Sequence, residues 1–328
     1  MRDVRVQVLI PTYNNASEIN NTLDSIWKQT FHKENIYVTV VDFGSTDGTL
    51  DSLFSYDKYH LGVYQKEEQK NARLRVAEAS KILDHISCGG KYCLFALLYP
   101  GDIMYPDCIH KCATAFIDKY NLNPVSLICE ADITLIDGTI VKQKPLYLED
   151  RVIDGTTEIV DYVKREYKHQ IFEIGLSFYS GRNRSIGEMN EKRFWNKSAK
   201  KCIERNTIYL REALVCTRQI LYDNEFEEIL LRWESIISTP RFFINRFGDM
   251  FSDDYEQLAK NNLAEYALWR SWILYSNKER RKEMEDCFLI SSVISPQIEC
   301  SEIHQLLKNL LFNNDISVVD TVRKHFTY

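Results

Sequence analysis

Three apolar runs end in short polar turns whose residues could do chemistry. They are Ile10-Pro11-Thr12-Tyr13-Asn14, then Asp42-Phe43-Gly44-Ser45-Thr46-Asp47-Gly48-Thr49, then Tyr99-Pro100-Gly101-Asp102-Ile103-Met104-Tyr105-Pro106. An aromatic ring such as Tyr13 offers a face on which a planar base can stack, a contact of about 1–3 kcal/mol per base in single-strand binders. Carboxylates such as Asp42 and Asp102 accept hydrogen bonds and are the ligands that hard divalent cations require. Arg73, in Asn71-Ala72-Arg73, carries several donors in a fixed fork that suits a phosphate, and Arg75 is near enough to compete for the position. Plain turn chemistry accounts for some of the same residues. Pro11 and Asn14 favour a strand-to-helix turn, Asp47 and Thr49 can cap a helix, and Asp102 can sit at a helix start.

These turns need elements to hold them. Short β-branched runs alternate with amphipathic ones over the first hundred residues, the pattern of βαβ units and a mainly parallel sheet. Strands are predicted at Val4 to Ile10, Tyr37 to Val41, Leu61 to Tyr64 and Tyr92 to Leu98. Helices are predicted after Ser17 as a cap, over 71–86, and from Pro106 to about Tyr120. Turns at the carboxyl ends of such strands lie at the edge where open α/β sheets bind nucleotides.

Further along, Ile133 to Ile136 and Thr139 to Gln143 flank Asp137-Gly138, which predicts a two-residue hairpin turn. A helix near 156–167 and a strand over Phe172 to Tyr179 follow, and Ile208 to Arg218 reads as a short hairpin or one bent strand. From about 220 the pattern is helical, with apolar stripes Phe226-Ile229-Leu230-Trp233, Leu258-Leu263-Tyr266-Leu268-Trp269 and Leu306-Leu307-Leu310-Leu311.

A formal net charge of −6 over 328 residues gives no support for a nucleic-acid partner. No apolar run is long enough to span a bilayer and no signal peptide is evident, so a cytoplasmic location is expected. A peripheral place at the inner face of the membrane is the alternative. The nine cysteines lack zinc spacing, and Cys108 and Cys112 read as buried free thiols rather than half a metal site.

Taken in order and at this spacing, the three turn motifs resemble the family 2 glycosyltransferases, inverting enzymes of the bacterial polysaccharide and glycoconjugate type. The resemblance covers roughly residues 4 to 218. It implies an α/β chain with the GT-A nucleotide-diphospho-sugar transferase fold, a mainly parallel central sheet and an all-helical C-terminal extension. The implied domains are 1–218, divided into a nucleotide-binding half (1–106) and an acceptor half (107–218), and the helical extension 219–328. Pro11, Thr12, Tyr13 and Asn14 would wrap the base, Asp42 and Gly44 would line the same pocket, and Arg73 would face the diphosphate. Asp102 would hold Mg²⁺ or Mn²⁺. The likeness departs from the family at two acids: Phe43 stands where a second acid accepts a hydrogen bond from the base, and Gly101 stands in the metal motif.

On the acceptor side, aligning Phe194-Trp195 with the family's aromatic pair makes Glu191 the catalytic base, with Glu188 as its rival; a charged helix start explains both equally. The implied donor is a nucleotide-diphosphate sugar, a UDP-sugar first. The implied acceptor is a glycan, polymer or glycoprotein. The two departures leave a second reading, a scaffold that binds a partner glycosyltransferase, or another copy of itself, through the helical region.

Overall fold

The computed structural model describes residues 4–56, 60–83, 92–157, 161, 171–176, 206–219, 222, 224–233 and 254–327, with backbone alone at 73, 77, 83 and 171–176. Residues 1–155 with 170–220 form one compact unit, and 156–169 with 221–328 form a second.

The first unit is built on one sheet. Strands β1 (Val4–Thr12), β2 (Ile36–Asp42), β3 (Leu61–Gln65) and β4 (Tyr92–Leu97) run parallel in the order β3-β2-β1-β4. The sheet continues through β9 (Ile171–Leu176), β6 (Pro124–Thr134), β10 (Asn206–Arg218) and β5 (Ile103–Met104), while β7 (Ile140–Val141) pairs with β6 and β8 (Arg151–Asp154) with β10. Crossover helices α1 (Ile19–Trp27), α2 (Thr49–Phe54) and α3 (Ala72–Leu83) join the parallel strands, and α4 (Cys108–Asp118) follows β5.

Both faces of β1 are covered, which is why its sequence is almost continuously apolar. Val4, Val6, Val8 and Ile10 pack with Ile19, Leu23 and Ile26 of α1. Leu9, on the opposite face, packs with Val41, Phe43 and Ala79 of α3. The parallel register aligns the strand ends: Thr12 stands opposite Asp42, and Asp42 opposite Gln65. Three turns are thereby brought side by side on one edge.

Local readings differ from the structure in two places. Ser17 does not cap α1; the helix starts from Glu18, and the Asn15 carbonyl accepts from the Glu18 and Ile19 N–H groups. The β6–β7 connection is residues 135–139 rather than a two-residue turn: Gly138 N–H donates to the Leu135 carbonyl, Leu135 N–H to the Thr139 carbonyl, and Gly138 takes φ +84°. The 206–218 segment takes the second of its two expected forms, one bent strand parallel to β6 with register shifts between Leu210 and Val215. Cys108 and Cys112 are buried free thiols, whereas Cys93 is disulfide-bonded to a partner outside the described residues.

The second unit is helical. Residues 225–233 are helical, followed by α5 (Tyr255–Leu274), α6 (Arg281–Ile294), α7 (Glu302–Asn313) and α8 (Val319–Phe326). Ile229, Leu263, Ala267, Phe288, Leu307, Leu310 and Phe326 form its core, while Leu230, predicted in the same stripe as Ile229, is exposed. No helix among the described residues is long and apolar enough to cross a membrane.

Candidate functional site

The first two turns are stitched together by reciprocal hydrogen bonds. Asn14 N–H donates to Ser45 Oγ at 2.8 Å, and Asn14 Oδ1 accepts from Thr46 N–H at 2.8 Å. One residue on, Asn15 N–H donates to Thr49 Oγ1 at 2.9 Å and Ala16 N–H to Asp47 Oδ2 at 3.0 Å. Asp47 also accepts from Thr49 N–H, so it serves the start of α2 and the neighbouring loop at once. Asn14 takes φ +53°, a left-handed conformation that Asn tolerates better than most residues.

Asp42 is buried, and its carboxylate turns back on its own loop. It accepts from the N–H groups of Gly44 and Ser45, at 3.2 and 3.1 Å, and from the Ser45 hydroxyl. Phe43 points the other way, into the apolar cluster with Leu9 and Ala79. A phenyl ring there strengthens the packing of α3 on the sheet and cannot accept a hydrogen bond from a base.

A third loop closes over Tyr13. The Tyr13 hydroxyl donates to Glu68 Oε1 at 2.6 Å, and the Arg75 guanidinium lies 5.6 Å from the ring centroid. The hydrogen bond to Glu68 raises the Tyr13 pKa, and the same bond together with Lys70 holds the Glu68 carboxyl below its ordinary value. Gly44, at φ +77°, lets the Glu68 backbone approach, since a Cβ there would stand 3.1 Å from Glu68 Cα. Of the two nearby arginines, Arg75 is the one seen at the Tyr13 ring; the Arg73 side chain lies outside the described residues. The sequence named Arg75 only as a rival of Arg73 for a phosphate, and no motif marked Glu68, which lies in the charged stretch Lys66-Glu67-Glu68-Gln69-Lys70.

Asp102 lies beyond β4 on the same edge. Its turn is pinned to α1, with Gly101 N–H donating to Thr22 Oγ1 at 2.8 Å and Met104 N–H to Ser25 Oγ at 3.1 Å. The carboxylate accepts from Tyr99 N–H at 3.0 Å on one oxygen and from Arg218 N–H at 3.2 Å on the other. Burial pushes its pKa up to about 6, against those two bonds and the Arg218 charge, which pull the other way. A chain of polar contacts leads back to the first turn: Arg218 Nη1 to Glu18 Oε1 at 2.7 Å, Asn15 Nδ2 to Glu18 Oε2 at 3.3 Å, and Thr12 Oγ1 to Asn15 Oδ1 at 3.1 Å.

This donor set does not fit a resident divalent cation. Both oxygens of Asp102 are already engaged by backbone N–H groups, Gly101 and Tyr99 bring no carboxylate, and an arginine lies alongside. No group of three or more His, Cys, Asp or Glu side chains able to hold a metal occurs among the described residues. Glu188 and Glu191, the expected catalytic bases, lie outside the described residues.

With the edge described, comparison with known proteins gives a family match over one segment of the chain. The model of the glycosyl transferase family 2 matches residues 7–81, which span β1 to α3 and carry all but the Asp102 turn. Residues 7–81 belong to glycosyl transferase family 2. Curated relatives of this family 2 segment include a poly(ribitol-phosphate) beta-glucosyltransferase of Bacillus spizizenii, 36% identical over 69 residues, or 21% of this chain and 11% of that protein. TarS of Staphylococcus aureus, a poly(ribitol-phosphate) beta-N-acetylglucosaminyltransferase, is 36% identical over 88 residues, or 24% of this chain and 15% of that one. The match therefore spans a small part of the length of either relative. The fold agrees over nearly the whole chain: residues 1–349 of TarS in complex with UDP-GlcNAc superimpose with a TM-score of 0.53 at 17% identity, covering 98% of this chain and 91% of that one. The fold is GT-A, with a helical region following the α/β unit.

Proposed function

We propose that the chain transfers a sugar from a nucleotide-diphosphate donor, a UDP-sugar in the first instance, to a glycan, polymer or glycoprotein acceptor with inversion. The observation that carries this is the stitching of the Pro11–Asn14 turn to the Asp42–Thr49 turn, with Tyr13 held at their rim by Glu68 and Arg75. In this reading Pro11, Thr12, Tyr13, Asn14 and Gly44 shape the base pocket. Asp42 holds the loop in form. Arg73, on α3, is assigned to the diphosphate.

Inversion needs a base to take the acceptor proton while the anomeric carbon is attacked from the opposite face. That role goes to Glu191, with Glu188 the alternative. Residues 1–218 serve as the transferase domain and 219–328 as its helical extension. The names of the Bacillus spizizenii protein and of TarS make poly(ribitol phosphate) the first acceptor to test.

The test is release of nucleoside diphosphate from a panel of UDP- and GDP-sugars, with and without poly(ribitol phosphate), by the purified chain. One donor should turn over selectively, and Glu191→Ala should lower kcat by about 10²–10⁴-fold while Glu188→Ala does not. No turnover with any donor, together with tight co-purification of another glycosyltransferase, would replace this reading with the scaffold.

A further inference from the structure

Arg218 occupies the space that an acid at position 101 would use. Gly101 has φ +96°, and a Cβ built on it would overlap Arg218 Cδ and come within 2.9 Å of Nη1 and 3.1 Å of Nε. The guanidinium thus lies in the gap left by the missing carboxylate of the third turn. It is the last residue of β10, and its backbone N–H donates to Asp102. Glu18 Oε1 anchors Nη1 at 2.7 Å, the one ion pair of this side chain among the described residues. The side chain is 42% exposed, so it is open to solvent beside the turn of Asp102.

We propose that Arg218 contacts the donor diphosphate in place of a divalent cation, so that nucleotide binding needs no added metal. This deepens the transferase reading and rests on it. A guanidinium is always charged and its planar fork matches two phosphate oxygens. It supplies the positive charge that a metal would bring, without needing the second carboxylate that the chain lacks. Glu18 and the Asp102 turn fix the direction of the side chain, which limits the entropy lost when phosphate binds. Gly101 and Arg218 then belong together: the space that a side chain at 101 would need is filled by the arginine.

Isothermal titration of UDP and GDP into the purified chain, in excess EDTA and then in excess Mn²⁺, tests this. One nucleotide should bind with the same affinity in both, Arg218→Ala should weaken it about tenfold to a hundredfold, and Arg218→Lys should fall between. Unchanged thermal unfolding of the Lys variant separates this loss from misfolding. Binding that appears only with Mn²⁺ would overturn the Arg218 assignment and leave the transferase reading standing. EDTA-insensitive binding that Arg218→Ala does not weaken would overturn it too. No binding of either nucleotide under either condition would overturn both.

Discussion

The Tyr13 hydroxyl donates to Glu68 Oε1 across 2.6 Å, tying the turn after β1 to the loop between β3 and α3. That bond fixes the ring's tilt at the rim where a base would stack, while Arg75 lies against the ring. Tyr13→Ala is therefore expected to weaken binding of the favoured nucleotide about tenfold to a hundredfold, the range of one lost base–aromatic stack. Tyr13→Phe and Glu68→Ala should each cost less, and their double variant no more than the larger single effect, because each removes the same bond. Titration calorimetry on the four variants decides it. Additive losses would mean that Glu68 contacts the nucleotide independently of Tyr13.

Asn14 holds two turns together from a left-handed backbone, φ +53°. Asn14→Ala loses the bond to Thr46 and keeps a Cβ in the left-handed conformation without the polar side chain that offsets its cost, so a loss of about 1–3 kcal/mol is expected. Asn14→Gly loses the same bond but relieves the backbone, so it should be the milder variant. Urea unfolding of both gives the comparison. Equal losses would show that the backbone conformation contributes nothing.

The order of the turns and the strands that present them were legible because each uses local chemistry: a β-branched run, then Pro, Asn, Asp or Gly. Phe43 could be read as a lost acceptor, but not as part of a second apolar face, since Leu9 and Ala79 become its neighbours only after β1, β2 and α3 assemble. Arg218 was invisible as a site residue. It lies more than a hundred positions from Gly101, and the bulged parallel pairing of β10 with β6 brings it to the edge. The same holds for Arg270, fully buried in a segment whose pattern promised only an apolar stripe.

Burial of the Asp102 carboxyl is expected to make the stability of the first unit depend on pH. Burial raises its folded pKa from 3.8 to about 6, so between those values the folded chain keeps a proton that the unfolded chain has lost. Stability must then fall as pH rises through this window, by roughly 3 kcal/mol at about 1.36 kcal/mol per unit, with nothing lost below it. Denaturant unfolding at a series of pH values, for the native chain and for Asp102→Asn, should show this decline in the first and a flatter profile in the second. Parallel profiles would place the carboxyl's titration elsewhere.

Arg270 and Glu225 form an ion pair inside the helical unit, with side chains 2% and 0% exposed. Nε donates to Glu225 Oε2 at 2.6 Å and Nη2 to Oε1, and the rings of Tyr222 and Trp269 lie about the guanidinium, 5.1 and 5.0 Å from it. Tyr222 N–H donates to the same carboxylate at 2.8 Å, so the pair's remaining acceptor capacity is also used. Truncating one partner strands the other's charge, and Glu225→Ala should cost about 3–5 kcal/mol. Replacing both, as Glu225→Met with Arg270→Met, removes the uncompensated charge along with the bond and should recover most of that loss. Thermal unfolding of the single and double variants distinguishes the cases. A double variant as unstable as Glu225→Ala would mean that the pair stabilises the helical unit by more than the cost of its own desolvation.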